Sequence, residues 1–151
     1  MKRFKFQLEP VLDYKQQALD ALMTELSAVQ AAVVAQEAAR DEALRVLAEY
    51  DEDFSARKAE GFTNVEALEY EVGQQVLVQR CQREQKLLER RIRELEAKRQ
   101  QVVEARQETR AIEKLREVRR KEYDAAAAKE AEKLLDDLTA ARRAAAGGET
   151  A

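Results

Sequence analysis

One frame of this chain carries a residue at alternating intervals of three and four without a break, and it constrains the fold more than any other feature. Its fifteen positions are Leu8, Leu12, Lys15, Leu19, Leu22, Leu26, Val29, Val33, Gln36, Arg40, Ala43, Leu47, Tyr50, Phe54 and Arg57, of which eleven are apolar. A stripe this narrow does not line a globular core; it fits the seam of a coiled coil. Composition agrees. With 38% charged residues, 5% aromatics, four glycines and a single proline, the chain has the make-up of long exposed helices. So charged a chain is otherwise a candidate for disorder, and the sustained seam argues against that over most of its length. At 151 residues it is read as one coiled-coil domain, 1–151.

The helices can be placed. Phe4, Phe6 and Leu8 alternate at a period of two, and Glu9 precedes Pro10, which disfavours the α region at Glu9. Residues 1 to about 8 are therefore read as extended or mobile. Pro10 suits a first helical turn, where its missing donor is harmless, so helix one is expected over about 9–59. Gly61-Phe62-Thr63-Asn64 is the one strong interruption. Gly61 can close a helix in the left-handed conformation. Thr63 followed by Glu66 has capping-box spacing, placing helix two over about 64–146, with Gly147-Gly148 as its end. So short a bend, about 60–63, forces an antiparallel hairpin. The fold class is all-α: a two-helix coiled-coil hairpin whose second helix is longer and overhangs.

Val65, Leu68, Val72, Val76, Leu88, Leu95, Val102, Thr109, Ile112 and Tyr123 are the expected inner stripe of helix two, widened by Leu77, Leu87, Ile92, Val103, Leu115 and Val118. Gly73 costs about 1 kcal/mol relative to alanine unless a close approach requires it. Arg40 and Lys15 sit in the seam, either fixing register or reaching solvent with their stems. With the bend near residue 62, position i faces about 124 − i. Helix one is then exhausted near residue 115, leaving Tyr123, Leu134, Leu135 and Leu138 on an unpaired tail that is either a docking element or a frayed end.

Charge and chemistry narrow the function. The net charge of −3 gives no general nucleic-acid footprint. Residues 49–71 hold eight acids and two bases, and residues 80–121 fifteen bases and eight acids, so partners at the two levels meet different fields. The cluster Arg116-Glu117-Val118-Arg119-Arg120-Lys121 is largely cancelled by neighbouring acids. There is one cysteine, Cys81, and no histidine. No phosphate loop, metal-ligand spacing or nucleophile–base pair appears, so neither a catalytic residue nor a metal or cofactor is expected. The N-terminus lacks an apolar h-region, and the longest uncharged run, Leu26 to Gln36, is eleven residues, short of a bilayer span. A cytoplasmic protein is expected. Tyr50 and Phe54 are placed in the seam against Val65, Leu68 or Val72. Of Val72, Val76, Leu77 and Val78, at least one must lie outside a two-helix seam and form an outward apolar surface.

Phe4-x-Phe6-x-Leu8-x-Pro10-Val11-Leu12-x-x-Lys15 resembles the N-terminal signature of the flagellar export protein FliJ family, in which aromatic and basic residues lead into a Leu-x-x-Val/Leu-Leu pattern and then a basic residue. Ile112-Glu113-Lys114-Leu115-Arg116 with Arg119-Arg120-Lys121-Glu122-Tyr123 is similar to the family's C-terminal Glu-Lys-Leu segment, and Glu132-Lys133-x-Leu135-Asp136-Asp137 to its acidic end. Ala125 to Ala128 depart from the family, which is usually charged there. The resemblance implies an antiparallel coiled coil like the central stalk of rotary ATPases. Its implied partners are the hexameric export ATPase FliI, whose ring assembly it promotes, the export gate protein FlhA, and export chaperones. It also implies a place at the flagellar base, peripheral to the inner membrane. On that reading Phe4, Phe6, Leu8, Lys15, Lys114, Leu115, Arg119, Arg120 and Tyr123 are the expected ATPase contact, gathered at one end because residue 8 faces about 116. Val72 and Val76 are the expected gate contact. A self-assembling structural scaffold is the alternative.

Overall fold

The structure, a computed structural model, describes residues 2–149. Two helices, α1 (Glu9–Glu60) and α2 (Asn64–Glu149), pack against each other as an antiparallel hairpin, and the described residues contain no strand. Gly61 takes a φ of 104° and its amide donates to the Arg57 carbonyl at 3.1 Å, the left-handed closure that only glycine adopts without strain. Thr63 then caps α2. Its Oγ1 accepts from the Glu66 amide at 3.2 Å, and the Thr63 amide donates to the Glu66 carboxylate at 3.5 Å. The reciprocal pair satisfies two amides that the first turn leaves without intrahelical partners. At the other terminus α2 does not stop at Ala146 but continues through Gly147 and Gly148 to Glu149. Glycine weakens a helix without forbidding its dihedrals.

On α1 the seam follows the heptad frame. Leu12, Val33, Gln36 and Ala43 are buried, and the other frame positions from Lys15 to Phe54 are half-buried. Only the outermost members leave it: Leu8 falls in the turn before the helix, and Arg57 is exposed. On α2, Cys81, Leu88, Leu95, Val102 and Thr109 are buried at intervals of seven. Val33, Leu88 and Leu95 form the core cluster, with Leu26 and Val29 packed against it. By length and composition alone α1 holds one stretch apolar enough to cross a bilayer. Its Leu26, Val29 and Val33 are spent on this cluster.

Near the bend the expected inner stripe of α2 is wrong. Val65 is 67% exposed, Leu68 63%, and Val72 and Val76 58% each. Ala67, Tyr70, Gly73 and Leu77 face inward instead. The reason is an aromatic and hydrogen-bonded register lock. The Tyr50 hydroxyl donates to the Tyr70 carbonyl at 3.0 Å, and the Tyr70 hydroxyl returns a bond to the Tyr50 carbonyl at 2.6 Å. The two rings lie 4.3 Å apart, and Phe54 packs on both Tyr70 (4.3 Å) and Phe62 (5.3 Å). Tyr50 and Phe54 are thus seam residues, but their partners are Tyr70 and Phe62. Gly73 is the close approach that admits Tyr50: a Cβ there would lie 2.9 Å from the Tyr50 Cζ and closer still to its hydroxyl.

Polar seam positions are handled in two ways. Gln36 donates from Nε2 to the Glu84 carbonyl at 3.0 Å and also to the Glu84 carboxylate, a cross-helix bond that favours one register. Lys15 and Arg40 carry their charges outward, to Glu108 at 2.9 Å and Asp41 at 3.0 Å.

By their contacts the described residues divide into two compact units, Leu19–Glu104 and a second made of residues 2–18 with 105–149. The first holds the core cluster, the bend and the tyrosine lock. The second is built around the N-terminal segment.

Candidate partner-binding groove

The second unit owes its character to a segment that is not helical. Residues 2–6 have no regular structure and residues 7–8 form a turn, after which the Glu9 amide donates to the Phe6 carbonyl at 3.2 Å and the Leu12 amide to the Leu8 carbonyl at 2.9 Å. Glu9 meets Arg116 and Lys2 meets Tyr123, so the segment keeps pace with α2, seven residues against seven. It runs alongside as far as Tyr123, whose hydroxyl donates to the Lys2 carbonyl at 2.5 Å. The expected overhang consequently starts after Tyr123 and not near residue 115.

Phe6 is buried at 8% exposure. The half-buried Phe4 ring lies 5.5 Å from that of Tyr123, and the Arg120 guanidinium sits 5.0 Å from the Phe4 centroid and 5.8 Å from that of Tyr123. A cation over an aromatic face contributes about 0.5–1 kcal/mol at an exposed site. Arg116 holds the junction through Glu9 at 2.9 Å.

Between segment and helix lies a groove of about 600 Å³, lined by residues 2–8 with Leu115, Arg119 and Tyr123. Four of its lining side chains are cationic (Lys2, Arg3, Lys5 and Arg119), and none is acidic. Phe4, Phe6, Leu8 and Leu115 supply the apolar lining. Arg119 and Arg120 have acids within reach on their own helix, Glu122 at 3.7 Å and Asp124 at 3.4 Å. These are exposed pairs of small energetic weight, and they leave both guanidiniums accessible.

Of the nine residues expected at this end, the structure gathers seven: Phe4, Phe6, Leu8, Leu115, Arg119 and Tyr123 around the groove, and Arg120 against Phe4. Lys15 stands apart, bound to Glu108, whose carboxylate holds the ammonium pKa above its ordinary value. Lys114 is exposed and does not line the groove. Sequence reasoning missed Lys2, Arg3 and Lys5. Their signal was the basic–aromatic alternation of the N-terminus.

A separate apolar surface lies in the other unit. Val72 and Val76 are exposed there, together with Val65 and Leu68, among the exposed Glu66, Glu69 and Glu71.

A family model described as Flagellar FliJ protein matches residues 4–149. The chain belongs to the FliJ family. It is a component of the flagellar protein export apparatus, and the FliJ family is non-enzymatic. Comparison with curated proteins and with solved structures returned no match. The FliJ match takes in both helices, the N-terminal segment from Phe4 onward and the groove's α2 wall.

Proposed function

We propose that this chain is the non-catalytic coiled-coil stalk of the flagellar export apparatus: it engages the export ATPase FliI, promotes assembly of its hexameric ring, and links it to the export gate protein FlhA and to export chaperones. The observation that carries the reading is the groove, where an apolar floor and a cationic rim are held together by Tyr123, Phe4 and Arg120. Such a surface suits an apolar, acidic partner segment, because burial supplies affinity and charge supplies steering and register. The exposed Val72 and Val76 are the gate contact in this reading. The protein then works in the cytoplasm, peripherally associated with the inner membrane at the flagellar base.

The test is ATPase stimulation and pull-down with the purified chain. Arg119→Glu with Arg120→Glu is expected to abolish ATPase capture while sparing gate binding. Val72→Asp with Val76→Asp is expected to do the reverse. Undiminished capture of the ATPase by the first variant overturns the groove assignment, and undiminished gate binding by the second overturns the bend assignment.

A further inference from the structure

The N-terminal segment reaches α2 as far as Tyr123, which bonds the Lys2 carbonyl. From 124 to 148 every residue is exposed except Ala127, which is half-buried. Ala127, Ala131, Leu134, Leu138, Ala141 and Ala145 recur there at alternating intervals of four and three, the spacing of a coiled-coil seam. At about 100° per residue all six lie within about 40° of the direction of Thr109, which the hairpin buries. The stripe therefore continues an existing seam past the point where its partner strand ends, and Leu134 and Leu138 are left 61% and 53% exposed. The stripe also repeats itself when read backwards. Outward from residue 136, Leu134 is matched by Leu138, Ala131 by Ala141 and Ala127 by Ala145. Residue 136 is equally the midpoint of the uncovered 124–148 stretch. A second copy laid antiparallel about that point sets leucine on leucine and alanine on alanine, and its helix ends where the first molecule's N-terminal segment begins. This coincidence of centre and length singles out a second copy as the occupant. With five acids and four bases in the stretch, net charge does not oppose the pairing.

We propose that two copies of this chain pair through their 124–148 stretches as an antiparallel coiled coil with a two-fold axis at residue 136. The contact is isologous and closes at two molecules, so the product is a dimer with one Lys2–Leu8 groove at each end of the paired region. Across the axis Leu135 meets its own copy on one flank, and Asp137 meets its own copy on the other. The paired aspartates oppose the contact, and salt screens them, the screening length being about 10 Å at 0.1 M. Added salt therefore strengthens this dimer, the reverse of its effect on a contact held by opposite charges.

Sedimentation velocity on the full-length chain tests the contact. Wild type is expected to show a monomer–dimer equilibrium that tightens as salt is raised. Leu134→Asp with Leu138→Asp is expected to weaken it by at least about tenfold, because apolar burial is lost from both halves. Both positions are exposed in the single chain, so the melting of the hairpin should not move. Disulfide cross-linking reads the orientation. Ala131→Cys and Ala141→Cys chains are expected to cross-link with each other on mixing and not with themselves, since like positions lie about 15 Å apart along the axis. The native Cys81 is buried, and wild type is the control for it. Cross-linking of either variant with itself means parallel pairing and overturns the proposal. So does a wild type that stays monomeric at every concentration, and so does a dimer that the leucine variant leaves intact. Neither measurement contains the ATPase, so failure here leaves the groove reading standing, and the reverse.

Discussion

Within the Leu19–Glu104 unit, two stretches of similar aliphatic pattern have opposite fates. Leu19 to Phe54 of α1 repeats apolar residues at three and four and buries or half-buries them. Val65, Leu68, Val72 and Val76 of α2 repeat at nearly the same spacing and stay more than half exposed. The difference lies in what each competes with. Nothing on α1 offers a better seam than its own frame. On α2 the face two residues away carries Tyr70 and Gly73, and that face wins. It provides two cross-helix hydrogen bonds, ring contacts with Tyr50, Phe54 and Phe62, and a side-chain-free position where Tyr50 fits. Large aromatic rings bury more surface than valine, and their hydroxyls find partners at the same time. Aliphatic spacing nominates a seam; specific polar and aromatic contacts choose among nominees.

The comparison breaks most sharply in the core. Leu88 is 2% exposed, so Leu88→Ala is expected to destabilise by about 2–5 kcal/mol in urea unfolding followed by circular dichroism. A loss below about 1 kcal/mol would mean that the central seam is no better packed than the flank. Gly73→Ala comes next and tests the lock by sign. Alanine stabilises an open helix by about 1 kcal/mol over glycine. Here the added methyl meets Tyr50 and is expected to destabilise by about 1–3 kcal/mol, with the penalty shrinking in a Tyr50→Ala background.

Tyr70→Phe removes one of the reciprocal bonds and should cost less. It also carries a pH signature. Burial is the main cause that pushes the Tyr70 hydroxyl above its ordinary value of 10.0, and the proton it keeps is the one donated to Tyr50. The folded state holds this proton more tightly than the unfolded state. The resulting stability is therefore complete below the unfolded pKa and disappears as pH rises through the higher folded one. Alkaline melts of wild type should fall more steeply than those of Tyr70→Phe. The smallest effect belongs to the outward stripe: Val72→Ala is expected to change stability by no more than about 0.5 kcal/mol. A larger loss would place Val72 in the seam.

Much of the candidate groove was legible in the sequence. Phe4, Phe6 and Leu115 stood out because an aromatic alternation before a proline and a Lys-Leu-Arg segment are distinctive against a background of Glu, Lys and Ala. Lys15 and Lys114 belong to the two segments that resemble the family, and membership in a segment does not say which side of a helix faces a groove. Lys2, Arg3 and Lys5 were visible but had no assigned place, since the path of an extended segment is not periodic with the helix it lies on.

By itself the sequence determined the two helices, their antiparallel return at Gly61 and the α1 seam, because these follow from local propensity, capping chemistry and a repeat that only one partner geometry satisfies. Which face of α2 turns inward near the bend, and where the first residues lie along it, came from packing. Both depend on cross-helix contacts, Tyr50 with Tyr70 and Lys2 with Tyr123, between residues too far apart in the chain for any local pattern to connect them.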